Sequence, residues 1–177
     1  MVVTVVRPAR QPDASSVGFE DARRRLRYAI ERLPPQLRLR SDEVARHRPA
    51  PERWTLKELV GHLVDSAVNN HRRFVCGQVQ NFTKFPPYAH ADWVQIQCFN
   101  EMPWPELIGL WRSMNVSIAH VWDVMPPEKS DYRCRVGDGE RTTLAGLAVA
   151  YVDHLEGHLV KSFGSWGPCP LGSAEGR

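Results

Sequence analysis

Apolar residues recur every three to four positions in four long stretches of the chain, and each stretch reads as one face of a helix. The first runs through Phe19, Ala22, Leu26, Ala29, Ile30 and Leu33, and Pro34-Pro35 is expected to end it. A proline-bearing connection follows, with a short turn of helix expected at "SDEVAR". "WTLKEL" announces the second helix. Thr55 stands as N-cap with Glu58 three residues on, a capping box, and the helix is predicted from Thr55 to about Gln78. A loop of about 25 residues comes next, rich in aromatic side chains; loops of that length are functional or disordered, and the aromatics favour order. The third helix begins near Pro105, carries the stripe Leu107, Trp111, Met114, Ile118, Val121, Trp122 and Met125, and stops at Pro126-Pro127. "YRCRVGDGERTT" alternates and then turns at Gly137-Asp138-Gly139, the pattern of a small hairpin. The fourth helix is predicted from Thr142 or Thr143 to Gly164, with a core stripe of Leu144, Leu147, Tyr151, His154 and His158.

Four long helices with almost no strand signal predict an all-α protein, a four-helix bundle. Residues 1–16, with two prolines, read as a flexible arm, 17–164 as the bundle and 165–177 as a flexible tail. At 177 residues, 42% hydrophobic and 24% charged, the chain suits one soluble domain with a single core. The net charge of +3 is too mild to imply a nucleic-acid partner, and the arginine runs "RRRLR" and "LRLR" lack the interleaved aromatics of a single-strand platform. "MVVTVVRPAR" is too soon interrupted to act as a signal peptide, and no apolar run spans a membrane. Cys76, Cys98, Cys134 and Cys169 are widely spaced and read as ordinary thiols, with a cytoplasmic home expected.

The chemistry gathers at "DHLEGHLV". His154 and His158 lie about 40° apart around a helix axis, so both rings can reach one ion. Glu156 points about 180° away from their mean direction, so the zinc-protease arrangement, in which a glutamate serves as base beside the metal, does not apply. Both histidines occupy positions meant for leucine, and imidazoles set against a core need partners. On the second helix, Leu59, His62, Ser66, Asn69 and Arg73 share one face. His62 sits about 10 Å from the start of its helix and His158 about 8 Å from the end of the fourth. If the two helices run antiparallel, His62, His154 and His158 come level and form a three-histidine metal site with open positions. Asp65, one turn after His62, could orient a ligand, whereas Asp153 is rotated off that face. Arg73, roughly 16 Å along the axis from His62, is expected to bind a distal part of a substrate or to form an internal ion pair. His47, His71, His90 and His120 read as structural, with His90 the exception to watch because its loop could cover the site. No glutamate has a histidine three residues later, which excludes a di-iron carboxylate centre.

"RWTLKELVGHLVDSAVNNHRRF", "PPYAHADW" and "TLAGLAVAYVDHLEGHLVKSF" together resemble the DinB/YfiT-like superfamily of metal-binding four-helix bundles. The resemblance runs through Trp54, His62, Asp65, Ser66, Asn69, Arg73, Tyr88, Trp93, His154 and His158. It implies a bundle with long crossover connections, often a homodimer, with His62, His154 and His158 as ligands for a divalent ion such as zinc or nickel. Relatives include S-transferases that use bacillithiol, mycothiol or glutathione, a mycothiol-dependent maleylpyruvate isomerase, and presumed metal-dependent hydrolases. Such relatives tend to carry extra histidines around the second ligand pair, where this chain has Gly157 and Lys161. The expected function is a metal-dependent thiol S-transferase or hydrolase. Its ion activates a low-molecular-weight thiol co-substrate or water toward an electrophilic small molecule held under the 79–102 loop. Asn69, Arg73, Tyr88 and Trp93 are the expected substrate contacts. No cysteine or serine nucleophile and no protein general base stands out. The alternative is a metal-binding or stress-related binding bundle without turnover, and neither a membrane nor a nucleic acid is an expected partner.

Overall fold

The computed structural model describes residues 14–163, so the expected arm over 1–16 falls almost wholly, and the tail over 165–177 entirely, outside the described residues. Among the described residues six helices and three short strands follow in order: α1 (Ala14–Arg38), α2 (Asp42–Arg46), α3 (Leu56–Cys76), β1 (Thr83–Phe85), α4 (His90–Gln97), α5 (Trp104–Asp123), β2 (Arg133–Val136), β3 (Thr142–Thr143) and α6 (Leu144–Phe163). One turn of 3₁₀-helix precedes α5 (Phe99–Glu101) and another follows it (Pro127–Lys129).

The local signals mostly do what their chemistry demands. The capping box at α3 is complete: the Thr55 side chain accepts from the Glu58 backbone N–H, and Glu58 accepts from the Thr55 N–H. Ser41 caps α2 by accepting from Val44 N–H. Pro34-Pro35 does not end α1, which continues to Arg38 and carries both prolines inside it. Leu33 and Leu37 are both fully buried. Burying Leu37 one turn on stabilises the structure by about 1.5–3 kcal/mol, against the roughly 3 kcal/mol that an interior proline costs.

The four long helices make the bundle, and side-chain pairings fix their directions. Both α1 and α3 pack principally against α5 and α6, which leaves α1 diagonal to α3 and α5 diagonal to α6. Gly18 faces Val149 and Arg25 reaches Glu156, so α1 runs parallel to α6. Trp104 Nε1 donates to Leu37 O while Arg23 reaches Asp123, so α1 and α5 are antiparallel. Thr55 reaches Asn100 and His71 reaches Ser117, which makes α3 parallel to α5. The close approach of Gly77 to Leu144 puts the end of α3 against the start of α6, so these two are antiparallel.

This arrangement explains the long loop. Two consecutive helices that run parallel require the chain to return the whole helix length, about 30 Å for twenty residues. Residues 77–103 make that return, and they are ordered. β1 pairs in parallel with β2, Thr83 opposite Cys134, while β2 and β3 form the expected hairpin with Cys134 opposite Thr142. Gly137 turns between them at φ +57°, a conformation that suits a residue without a side chain. α4 then lies along α3. No helix among the described residues is long and apolar enough to cross a membrane.

Candidate metal centre

Antiparallel packing of α3 on α6 brings three imidazoles together. His62 comes from the second turn of α3, and His154 and His158 from successive turns of α6. His62 Nε2 lies 3.3 Å from His154 Nε2, which in turn lies 3.1 Å from His158 Nε2. One nitrogen from each ring falls within 4.8 Å of the others. Nitrogens bound tetrahedrally at 2.0–2.1 Å from an ion stand roughly 3.3 Å apart, so the donor set has the span that a single ion needs.

His62 is buried, His158 half-buried and His154 exposed. The two α6 histidines therefore do not continue the core stripe. Leu155 and Leu159 take that place, both 1% exposed, and the imidazoles stand at the margin of the core on the wall of a pocket. A helical face is wide enough to carry both sets, and only the packing partner decides which is inside. Trp54, Tyr88 and His90 complete this pocket of about 300 Å³. The Trp54 ring centroid stands 5.0 Å from that of His62, and His90 stands 5.7 Å from His62.

Burial and mutual repulsion keep these rings neutral. Desolvation is the main cause for His62, whose pKa is pushed down to about 3, with His154, His158 and His90 adding to it. His154 is exposed as a residue, but its ring edge packs against His62 and His158, and its pKa is pushed down to about 4, first by that local desolvation and then by the charges of His158, His90 and Lys161. His158 shifts the same way, by burial and then by Lys161 and His90. Neutral imidazoles present lone pairs, which is the state a metal ligand requires.

The remaining sequence candidates scatter around this centre. Asp65 is buried, and its Oδ1 accepts from Gln97 Nε2 on α4 at 2.8 Å. Asp65 Oδ2 and His62 Nδ1 are both buried without a hydrogen-bond partner, so no bond joins these two atoms. Burial raises the Asp65 pKa, with Gln97 opposing. Asn69 donates to the Asp65 backbone carbonyl at 2.9 Å along its own helix. Arg73 is 9% exposed, and its Nη1 reaches only Asn70 Oδ1, at 3.4 Å. Among the described residues no carboxylate pairs with Arg73, so the expected internal ion pair is absent. Tyr88 is pushed up by burial and then by Asp65, with Ser66 and Arg73 pulling the other way, and stays a phenol at neutral pH. Trp93 is not among the side chains lining the pocket; it packs against Tyr88 with ring centroids 5.0 Å apart.

Glu156 does point away, as the helix rotation requires, and it is engaged. Its carboxylate accepts from Arg25 Nη2 at 2.5 Å, and Asp153 accepts from the same nitrogen at 2.6 Å. His71 bonds Ser117, while His90 has joined the pocket. Its place in an aromatic-rich loop was the only sequence signal for that. Cys76, Cys98 and Cys134 are free thiols, and Cys169 lies outside the described residues.

Fold and site together define a four-helix bundle with diagonal crossovers and a three-histidine cluster at an open pocket. The sequence profile of the DinB superfamily matches residues 18–160, and the chain belongs to that superfamily. Among solved structures, YfiT from Bacillus subtilis is described as a probable metal-dependent hydrolase with an unusual four-helix bundle topology. The alignment covers 92% of this chain and 95% of YfiT, with a TM-score of 0.67 and 17% sequence identity, and at that identity it bears on the fold alone. No curated protein matches the chain significantly.

Proposed function

We propose that this is a divalent-metal-dependent enzyme in which His62, His154 and His158 hold the ion, zinc or nickel, and a small-molecule substrate occupies the adjoining pocket. The observation that carries the reading is the convergence of three neutral imidazoles, from two helices, within 4.8 Å at the wall of an open pocket. Three protein ligands with free positions suit a catalytic ion better than a structural one, which is normally closed by four. When bound, the ion would supply Lewis-acid activation of a low-molecular-weight thiol or of water.

The chain's own residues bind and orient. Among the described residues no serine, cysteine or carboxylate lines the pocket, which supports a nucleophile brought in by a co-substrate. Tyr88, held as a phenol, offers a hydrogen-bond donor beside the histidines. Trp54 supplies an apolar wall. Asp65 and Gln97 couple α3 to α4 next to the site.

Elemental analysis of the purified protein, followed by a thiol-conjugation screen on loaded and stripped forms, tests the reading. About one divalent ion per chain, with conjugation or hydrolysis only in the loaded form, is the expected result. A bound ion with no turnover and no exchangeable position would favour a metal-binding bundle instead.

A further inference from the structure

A second and larger groove, of about 490 Å³, adjoins the histidine pocket, and Trp54 and His158 line both. Its charged lining is of one sign. Arg40, Arg53 and Lys161 contribute to it, and among the described residues no aspartate or glutamate does. Leu56, Leu59 and Phe163 add apolar surface.

What sets this groove apart is that three cations without a carboxylate partner line it together. Neighbouring cations of the same segment are paired: Arg46 with Asp42 and Glu101, Arg48 with Glu58 at 2.5 Å, and the fully buried Lys57 with Asp42 at 2.8 Å. Among the described residues no carboxylate pairs with Arg40, Arg53 or Lys161. Like charges converging without counter-ions create a positive field that a complementary anion would relieve. The groove runs up to the histidine site, since Lys161 and His158, one turn apart on α6, both line it.

We propose that this groove binds the oxyanion end, a carboxylate or phosphate, of a small molecule with an apolar body that extends past Trp54 and His158 into the histidine pocket. The inference rests on the metal-enzyme reading only for the placement of the other, reacting end. The substrate or co-substrate is then an amphipathic anion rather than a neutral or cationic compound. Arginine forks match planar carboxylate and phosphate geometry, and the apolar lining accommodates the body.

Calorimetric titration of the full chain, zinc-loaded and chelator-stripped, with 4-phenylbutyrate, 4-phenylbutyl phosphate and neutral 4-phenylbutanol tests this. The anionic probes should bind at least about fivefold more tightly than the alcohol in both forms, with the preference falling as salt rises. A preference for the phosphate over the carboxylate assigns the oxyanion to a phosphate ester, and the reverse assigns it to a carboxylic acid. Arg40→Gln with Arg53→Gln should abolish the preference, whereas Arg72→Gln, an exposed change on α3 outside the groove, should not. Lys161→Gln alone should reduce it, which keeps the test open if the double variant folds poorly. Equal binding of anion and alcohol, or an anion preference seen only with zinc and unaffected by these variants, overturns the proposal. Failure of the chain to hold a metal would remove the enzyme reading and leave the stripped-protein comparison intact.

Discussion

His154, Glu156 and His158 show how a two-residue step on a helix separates roles. The histidines face the pocket while Glu156 reaches across to Arg25 on α1, where its hydrogen bond is the main reason the guanidinium holds its proton more firmly. His62→Ala or His158→Ala should therefore empty or greatly weaken the site. Glu156→Gln should leave metal content unchanged and activity within roughly threefold, because it alters one ion pair of the modest energy typical near a surface. Metal content and turnover of the three variants check this, and an inactive Glu156→Gln that still held its metal would show that the carboxylate takes part in the chemistry. Acid should act on the histidines. Their folded pKa values, about 3 for His62 and about 4 for His154, lie below the unfolded value of about 6.5. The unfolded chain takes up protons first as pH falls. Stability from these groups is therefore complete above about pH 6.5 and lost progressively toward about pH 4 for His154 and about pH 3 for His62. Stripped protein should show a lower Tm at pH 5 than at pH 7.5, and the loaded form should also release its metal over that interval.

The return segment between α3 and α5 is the element on which the pocket depends. It supplies Tyr88 and His90, and α4 is held to α3 by the Gln97–Asp65 hydrogen bond. Its close seating needs Gly61, because a Cβ there would lie 2.0 Å from the Phe99 ring. Gly61→Ala should destabilise the fold by about 1–3 kcal/mol through overpacking, read as a lower Tm, and should disturb the neighbouring His62. Trp93→Ala should weaken substrate binding through Tyr88, against which it packs, while metal content stays near one per chain. Loss of the metal from a folded Trp93→Ala protein would mean that this aromatic pair supports the ligands as well as the pocket.

Across the bundle, the three histidines join two helices that approach each other from opposite directions, so an ion there would tie α3 to α6. Ligand bound only to the folded state stabilises it by mass action, and chelation should lower Tm by several degrees. An unchanged Tm after verified metal removal would count against a bridging site. Much of this was readable in the chain itself, because it depends on contacts within a few residues. The capping box at Thr55, the helix-breaking at Pro126-Pro127, the hairpin at Gly137 and the common face of His154 and His158 all follow from local geometry. Helix position brought His62 level with that pair on the condition that α3 and α6 run antiparallel, and the family motifs added the crossover topology. Tertiary packing decided the rest. It carried α1 through Pro34-Pro35 because Leu37 had a core to enter, and it made a strand of Thr83–Phe85 only because β2 lay beside it. Packing also left Arg73 buried without a carboxylate, put His90 at the pocket, and gathered Arg40, Arg53 and Lys161 around one groove. A single sequence encodes its turns and helix faces through neighbours three or four positions away, but which faces meet depends on helix directions that appear only when the chain closes on itself.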